Sequence, residues 1–209
     1  MKTVLFQGDS ITDAIRFREH ETSLGMGYPV LVAGELGCKY PGELCFLNRG
    51  ISGDRVVNLY ARWKKDCLNI KPDYLSILVG VNDVWHELKY QNGVSAARYR
   101  DVYRLMLEDA KAALPEIKIM LLEPFLLKYT ATEELWESFN TEVLKRREVV
   151  CELGEQFNLP VVSLQPVFDA ALKQAPVEYW TSDGVHPTTA GHGLIAKEWI
   201  KAFETYMLK

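Results

Sequence analysis

The sequence predicts an α/β protein built on a parallel β-sheet with helices on both faces. Short apolar runs bounded by turn residues alternate along the chain with segments of helical periodicity. The runs are mostly apolar instead of alternating regularly with polar residues, as strands buried on both faces are. No repeat, low-complexity tract or Pro/Gly/Ser-rich linker divides the 209 residues, so a single domain over residues 1–209 is expected.

Each element has its own signal. Residues 3–7 form the first strand. Residues 28–36 are an amphipathic helix that Gly37 is expected to stop. Residues 44–48 form the second strand. Asp54 opens a helix to about Lys65, with its carboxylate at the favourable N-terminal end. Residues 74–79, "YLSILV", lie between Pro72 and Gly80 and read as a buried central strand. Ser95 is the N-cap of a helix whose inner face carries Tyr99, Val102, Tyr103, Met106, Ala110 and Ala113, with Pro115 just past its end. Residues 117–122 form the fourth strand. Thr130 with Glu133 makes a capping box for a long helix with Leu135, Phe139 and Val143 inward, ending near Asn158. Residues 161–164 form the fifth strand and residues 166–173 a short helix. Thr188 begins the last helix, which carries Ile195, Trp199 and Phe203 at four-residue spacing. Ligands of open parallel sheets bind at the carboxyl ends of the strands, so functional residues belong just after them.

Composition removes several function classes. A net charge of −4 and the lack of a Lys/Arg block give no nucleic-acid surface. No stretch approaches the roughly 20 apolar residues of a membrane span. The apolar run Val4 to Phe6 is too short for a signal-peptide core, so a cytoplasmic protein is expected. Cys38, Cys45, Cys67 and Cys151 are scattered without zinc-site spacing and read as small hydrophobes in a reducing compartment. No metal and no cofactor is expected.

Four polar segments stand at the right places. "GDSIT" follows the first strand, "NRGISGD" the second and "GVNDVW" the third, and "SDGVHPTTAGH" precedes the last helix. Serine-based acyl transfer needs a hydroxyl, a base beside it, a group orienting the base, and donors for an oxyanion. Ser10 offers the hydroxyl, on a turn that Gly8 lets bend. His186 offers the base, and Asp183, three residues earlier in a turn with Gly184, can reach its Nδ1–H. The backbone N–H of Ser10 and of Gly53 and the side-chain amide of Asn82 offer the donors.

These blocks, Gly8-Asp9-Ser10, Gly53 in "GISGD", Gly80-Val81-Asn82-Asp83 and Asp183-Gly184-Val185-His186, resemble in order those of the SGNH, or GDSL-type, esterases, and span almost the whole chain. The resemblance implies a three-layer α/β/α sandwich with a flavodoxin-like five-stranded sheet of order 2-1-3-4-5, and ester hydrolysis through an acyl-enzyme. It assigns Ser10 as nucleophile, His186 as base, Asp183 as its orienting acid, and Ser10, Gly53 and Asn82 as the oxyanion hole. "NRGISGDRVVNLYARWKKD", "KPDYLSILVGVNDVW" and "DGVHPTTAGH" are similar to the intracellular acetylxylan esterase branch. That implies a small-molecule acetylated-sugar substrate, no nucleic-acid or membrane partner, and a homo-oligomer. Asp9, Trp85 and Trp180, beside the blocks, are candidate substrate-binding residues.

Blander roles stand beside these. Ser10 suits a turn or N-cap, and Asn82 a helix cap. Asp9 suits a brace accepting N–H bonds in its turn, and Asp83 a brace of the loop after the third strand. His86 and His192 compete with His186, His192 more simply as a packing or capping residue. The "RWKK" run reads as a solvated face. Two other functions remain open: a small-acyl thioesterase or lysophospholipase, and a catalytically silent carbohydrate-binding module on the same scaffold.

Overall fold

A computed structural model describes residues 1–208. Five parallel strands, β1 (Lys2–Gly8), β2 (Leu44–Asn48), β3 (Tyr74–Leu78), β4 (Lys118–Leu122) and β5 (Val161–Val162), form one sheet of order β2-β1-β3-β4-β5. β1 and β3 pair in register from Val4 opposite Tyr74 to Gly8 opposite Leu78. This is the order that the family resemblance implied.

The pleat sends alternate side chains to opposite faces. Val4 and Phe6, with Met120 and Leu122, meet helices α2 (Tyr28–Lys39), α7 (Gln165–Ala171) and α9 (Thr189–Ala202). Leu5, Leu75 and Ile77, with Ile119 and Leu121, meet α3 (Val56–Trp63), α5 (Ala96–Ala113) and α6 (Trp136–Phe157). Two cores on two faces give the sandwich. A third, smaller cluster joins Val81 and Val84 of α4 (Val81–Tyr90), Phe139 and Val143 of α6, and the sealed Val185. It seats the loop before α9 against the strand ends. α1 (Ser10–Asp13) and α8 (Val177–Trp180) complete the helices. No helix is long and apolar enough to cross a membrane among the described residues.

Several expected boundaries moved. α2 runs through Gly37 to Lys39; an added Cβ at Gly37 would meet nothing within 4 Å, so that glycine imposes no stop. α3 starts at Val56 because Asp54 turns to Arg62 instead of capping the helix, and it continues as a π-turn over Lys64–Leu68. α4 occupies a stretch expected to be loop. The capping box at Thr130 does not form: Thr132 Oγ1 donates to Leu127 O, the chain stays in turns, and α6 opens at Trp136 with Leu135 exposed. β5 is shorter than expected, an edge strand of two residues. The Ser95, Thr188 and Asn158 ends are as expected; Ser95 and Thr188 accept first-turn N–H bonds, and Asn158 takes the left-handed C-cap conformation.

Candidate active site

Ser10 enters the helical turn α1 two residues beyond the end of β1. Gly8 is needed there for close approach: a Cβ on it would lie 2.3 Å from Thr12 Oγ1 and 2.4 Å from Leu78 O. It remains the last residue of β1, so it admits neighbours instead of making the bend that the sequence suggested. Asp9 caps the turn, its Oδ1 accepting the Ile11 N–H at 3.0 Å. Asp9 is sealed at 1 % exposure, and its pKa is pushed up to about 7 by burial. A side chain so enclosed cannot contact substrate, which corrects its place among the substrate-binding candidates; the bracing role is the one it has.

His186 reaches Ser10 from the far end of the chain. Its Nε2 lies 2.9 Å from Ser10 Oγ, and its Nδ1 lies 2.7 Å from Asp183 Oδ2. An ionised carboxylate only accepts, so Nδ1 carries the proton and Nε2 is left to accept from the Ser10 hydroxyl. The turn holding the pair is tightly specified. Asp183 Oδ1 accepts the backbone N–H of both Val185 and His186 at 2.8 Å. Gly184 sits at φ +104°, a conformation that side chains rarely adopt. An isolated bridge between Thr181 and Pro187 closes the loop. The hydrogen bond that its Nδ1–H donates to Asp183 raises the His186 pKa above the ordinary histidine value, against the pull of burial. Burial would raise Asp183, but the bonds it accepts from His186 and Val185 hold it below the usual carboxylate range.

The loops after β2 and β3 bring in the donors. Gly53 sits at φ +86°. Asn82, nearly buried in the first turn of α4, donates one Nδ2 hydrogen to Asp54 O at 3.1 Å. That bond ties the amide to the Gly53 loop and leaves its second hydrogen uncommitted. The backbone N–H groups of Ser10 and Gly53 have no acceptor among the described residues. Asp83 braces a different element from the one expected: both its oxygens accept the Val56 N–H, at 3.1 and 3.2 Å, and so fix the start of α3. Burial pushes its pKa up to about 8.

Two supporting residues were not foreseen. Arg62, in the run expected to be a solvated face, is tucked in against β1. Its guanidinium donates to Asp54 Oδ2 at 2.8 Å, Gln7 Oε1 at 2.9 Å and Gly8 O at 3.3 Å, linking the strand that precedes Ser10 to the Gly53 loop. A charged letter in a sequence does not say that carboxylates wait opposite it. Asp13, at the end of α1, accepts from the Ser52 N–H and Oγ–H at 2.9 and 2.8 Å and from Arg18 at 2.6 Å. Burial opposes its charge, yet these bonds hold its pKa below the usual range. The one signal was its position three residues after Ser10.

Beside the pair lies a cavity of about 550 Å³, lined by Ser10, Ile15, Met26, Ser52, His186 and His192 among others. A second depression, of about 420 Å³, is walled by Trp85, Lys89, Glu134 and Phe139. The Trp85 and His186 rings are 5.8 Å apart, so His186 stands between the two hollows. Trp180 is elsewhere. It packs in the core beside α9, its Nε1 donating to Ala175 O at 3.2 Å, and it borders a groove under α7 instead of the cavity at Ser10. Its place among the substrate-binding candidates is corrected accordingly: nearness in sequence to Asp183 does not survive the turn at α8. His86 packs on Tyr90, on the outer part of α4. His192, expected to compete with His186 or, more simply, to pack or cap, lines the cavity itself. Among the described residues, no group of three or more His, Cys, Asp or Glu side chains could hold a metal ion.

The geometry agrees with what the chain resembles. The GDSL-like lipase/acylhydrolase family matches residues 6–194. An acetylxylan esterase from Geobacillus stearothermophilus is 34% identical over 205 residues, covering 95% of this chain and 92% of that protein. A solved protein from Parabacteroides merdae described as a GDSL-like lipase superposes with a TM-score of 0.93 at 40% identity, over 97% of this chain and 95% of that one. A catalytic mutant of the Geobacillus stearothermophilus acetylxylan esterase superposes with a TM-score of 0.86 at 30% identity, over 96% and 93% of the two chains. The chain belongs to the GDSL-like lipase/acylhydrolase family, and it is a carboxylic ester hydrolase.

Proposed function

We propose that the protein removes acetyl groups from acetylated sugars, with Ser10 as nucleophile. The observation that carries this is the chain of contacts from Ser10 Oγ to His186 Nε2 at 2.9 Å and from His186 Nδ1 to Asp183 Oδ2 at 2.7 Å, at the wall of an open cavity. Ser10 Oγ attacks the ester carbonyl while its proton passes to His186 Nε2. The new oxyanion is held by the N–H groups of Ser10 and Gly53 and the free Nδ2 hydrogen of Asn82. As the tetrahedral species collapses, His186 returns the proton to the departing sugar oxygen. Water then attacks the acetyl-Ser10 ester with His186 again as base, releasing acetate and restoring the hydroxyl. Asp183 keeps the proton on Nδ1 and stabilises the imidazolium in both halves.

The acetyl-sugar assignment is supported by the acetylxylan esterase among its relatives. The two hollows flanking His186 suit an extended alcohol part. Trp85 offers an aromatic face in the second hollow for an outer sugar ring, with Lys89 and Glu134 beside it. All four cysteines are free, as suits a reducing cytoplasm. Acetate release from acetylated xylo-oligosaccharides, compared with acetyl, butyryl and octanoyl esters of one plain alcohol, tests the reading. It predicts the highest kcat/KM on the sugar acetates and falling turnover with acyl length. Rising activity with acyl length would favour a lysophospholipase or thioesterase instead.

A further inference from the structure

His192 is the second histidine of the catalytic cavity, and its protonation is dictated from behind. The backbone N–H of Tyr28 donates to His192 Nδ1 at 3.1 Å. A nitrogen that accepts carries no proton, so the neutral ring has its hydrogen on Nε2. Protonating Nδ1 would set one N–H against another. The pocket behind the ring is built to hold it: a Cβ on Gly27 would lie 2.8 Å from His192 Cε1 and 3.0 Å from Nδ1. Tyr28 stacks against the imidazole with ring centroids 6.5 Å apart. Burial pushes the pKa down to about 4, and the charge of a protonated His186 opposes a second cation nearby.

Nε2 has no protein partner among the described residues and is not among the sealed polar atoms. The other polar side chains of the cavity are committed. Ser10 and His186 bond to each other, Ser52 Oγ donates to Asp13, and Thr188 Oγ1 donates to Tyr179 O. Among the described side chains that line the cavity, only the His192 ring and the exposed Thr189 hydroxyl keep a donor hydrogen with no protein acceptor. Gly53 and Asn82, which receive the carbonyl oxygen in the proposed reaction, do not line this cavity, whereas His186, which protonates the leaving oxygen, does. In the proposed reaction the cavity therefore lies beside the leaving oxygen, and we place the alcohol part of the ester there.

We propose that His192 is a specificity-determining residue whose Nε2–H donates a hydrogen bond to a hydroxyl oxygen on the alcohol part of the substrate, selecting acetates of polyols and sugars over acetates of plain alcohols. This rests on the acyl-transfer roles proposed for Ser10 and His186, and it gives the sugar reading a named recognition contact.

Two variants separate donor from scaffold. His192→Asn keeps an oxygen where Nδ1 accepts from Tyr28 and removes the donor at the far side of the ring. His192→Gln carries an amide N–H out to about the Nε2 position. The readout is the ratio of kcat/KM on a polyol acetate to kcat/KM on ethyl acetate, measured with xylose monoacetate and separately with glycerol monoacetate. In His192→Asn both ratios fall by about 3–10-fold, the worth of one neutral hydrogen bond, and His192→Gln recovers most of the loss. Ratios that stay constant in His192→Asn, even if both rates drop, overturn the proposal and leave His192 a packing residue. A wild-type protein that does not prefer xylose monoacetate to ethyl acetate contradicts the sugar reading alone; the glycerol monoacetate ratio then still decides the role of His192. A His192→Gln ratio no higher than that of His192→Asn also overturns it.

Discussion

The turn that carries His186 and the first turn of α9, which carries His192, lie six residues apart in sequence and line one cavity, yet they make opposite histidines. His186 rests its Nδ1 on a carboxylate, and its pKa rises. His192 rests its Nδ1 on a backbone N–H, and with burial unopposed its pKa falls to about 4. The partner on the hidden nitrogen decides what the visible one can do: the first ring presents an acceptor for a serine proton, the second a fixed donor. In the roles proposed above, two residues of one type divide the work of moving a proton and recognising a substrate.

The largest effects should come from the His186 side. Ser10→Ala and His186→Ala should each lower kcat on a short acetate ester by on the order of 10⁴-fold or more, with folding verified by circular dichroism. Turnover close to wild type in Ser10→Ala would remove the nucleophile assignment. Asp183→Asn keeps the shape but can no longer hold the same tautomer, and a fall of roughly 10²–10⁴-fold is expected. Asn82→Ala removes one oxyanion donor and should cost roughly 10²–10³-fold in kcat, with KM little changed.

Acid pH probes the contrast directly. His186 must be neutral to accept the Ser10 proton, so kcat/KM rises as pH climbs through its pKa. Because Asp183 raises that pKa, the acid limb should lie above the ordinary histidine value of 6.5. In Asp183→Asn the limb should move to lower pH while the plateau falls. His192, already neutral down to about pH 4, should add no ionisation across that limb. A second step near neutrality that disappears in His192→Asn would break the division between the two rings. A smaller effect than any at the Ser10–His186 pair is expected at Trp85: its replacement by Ala should raise KM for acetylated xylo-oligosaccharides by about tenfold, the worth of one lost aromatic contact, and change KM for ethyl acetate much less.

What the sequence made legible was local. Ser10, Asp183 and His186, which the structure brings together, stand in short polar blocks after the first strand and before the last helix, and mostly apolar strands predicted the sheet. What it hid depends on partners far along the chain. The tautomer of His192 is set by the backbone of Tyr28, 164 positions away, and a backbone N–H has no letter. Arg62 looked solvated because nothing in "RWKK" shows that Asp54 and Gln7 face it. Asp9 and Trp180 looked like site residues because they sit beside catalytic blocks; one side chain turns under the chain and the other into the core, directions that adjacency does not encode. The long helix starts late because Thr132, not Thr130, takes the local hydrogen bonds.

The central claim is that His186 activates the Ser10 hydroxyl as a nucleophile. Reaction with a fluorophosphonate, followed by mass spectrometry of the digested protein, tests it most directly. The expected result is a single phosphonyl adduct on Ser10 in the wild-type protein, nearly absent in His186→Ala. An adduct on a different residue, or an active wild-type protein that takes up no label, would contradict it.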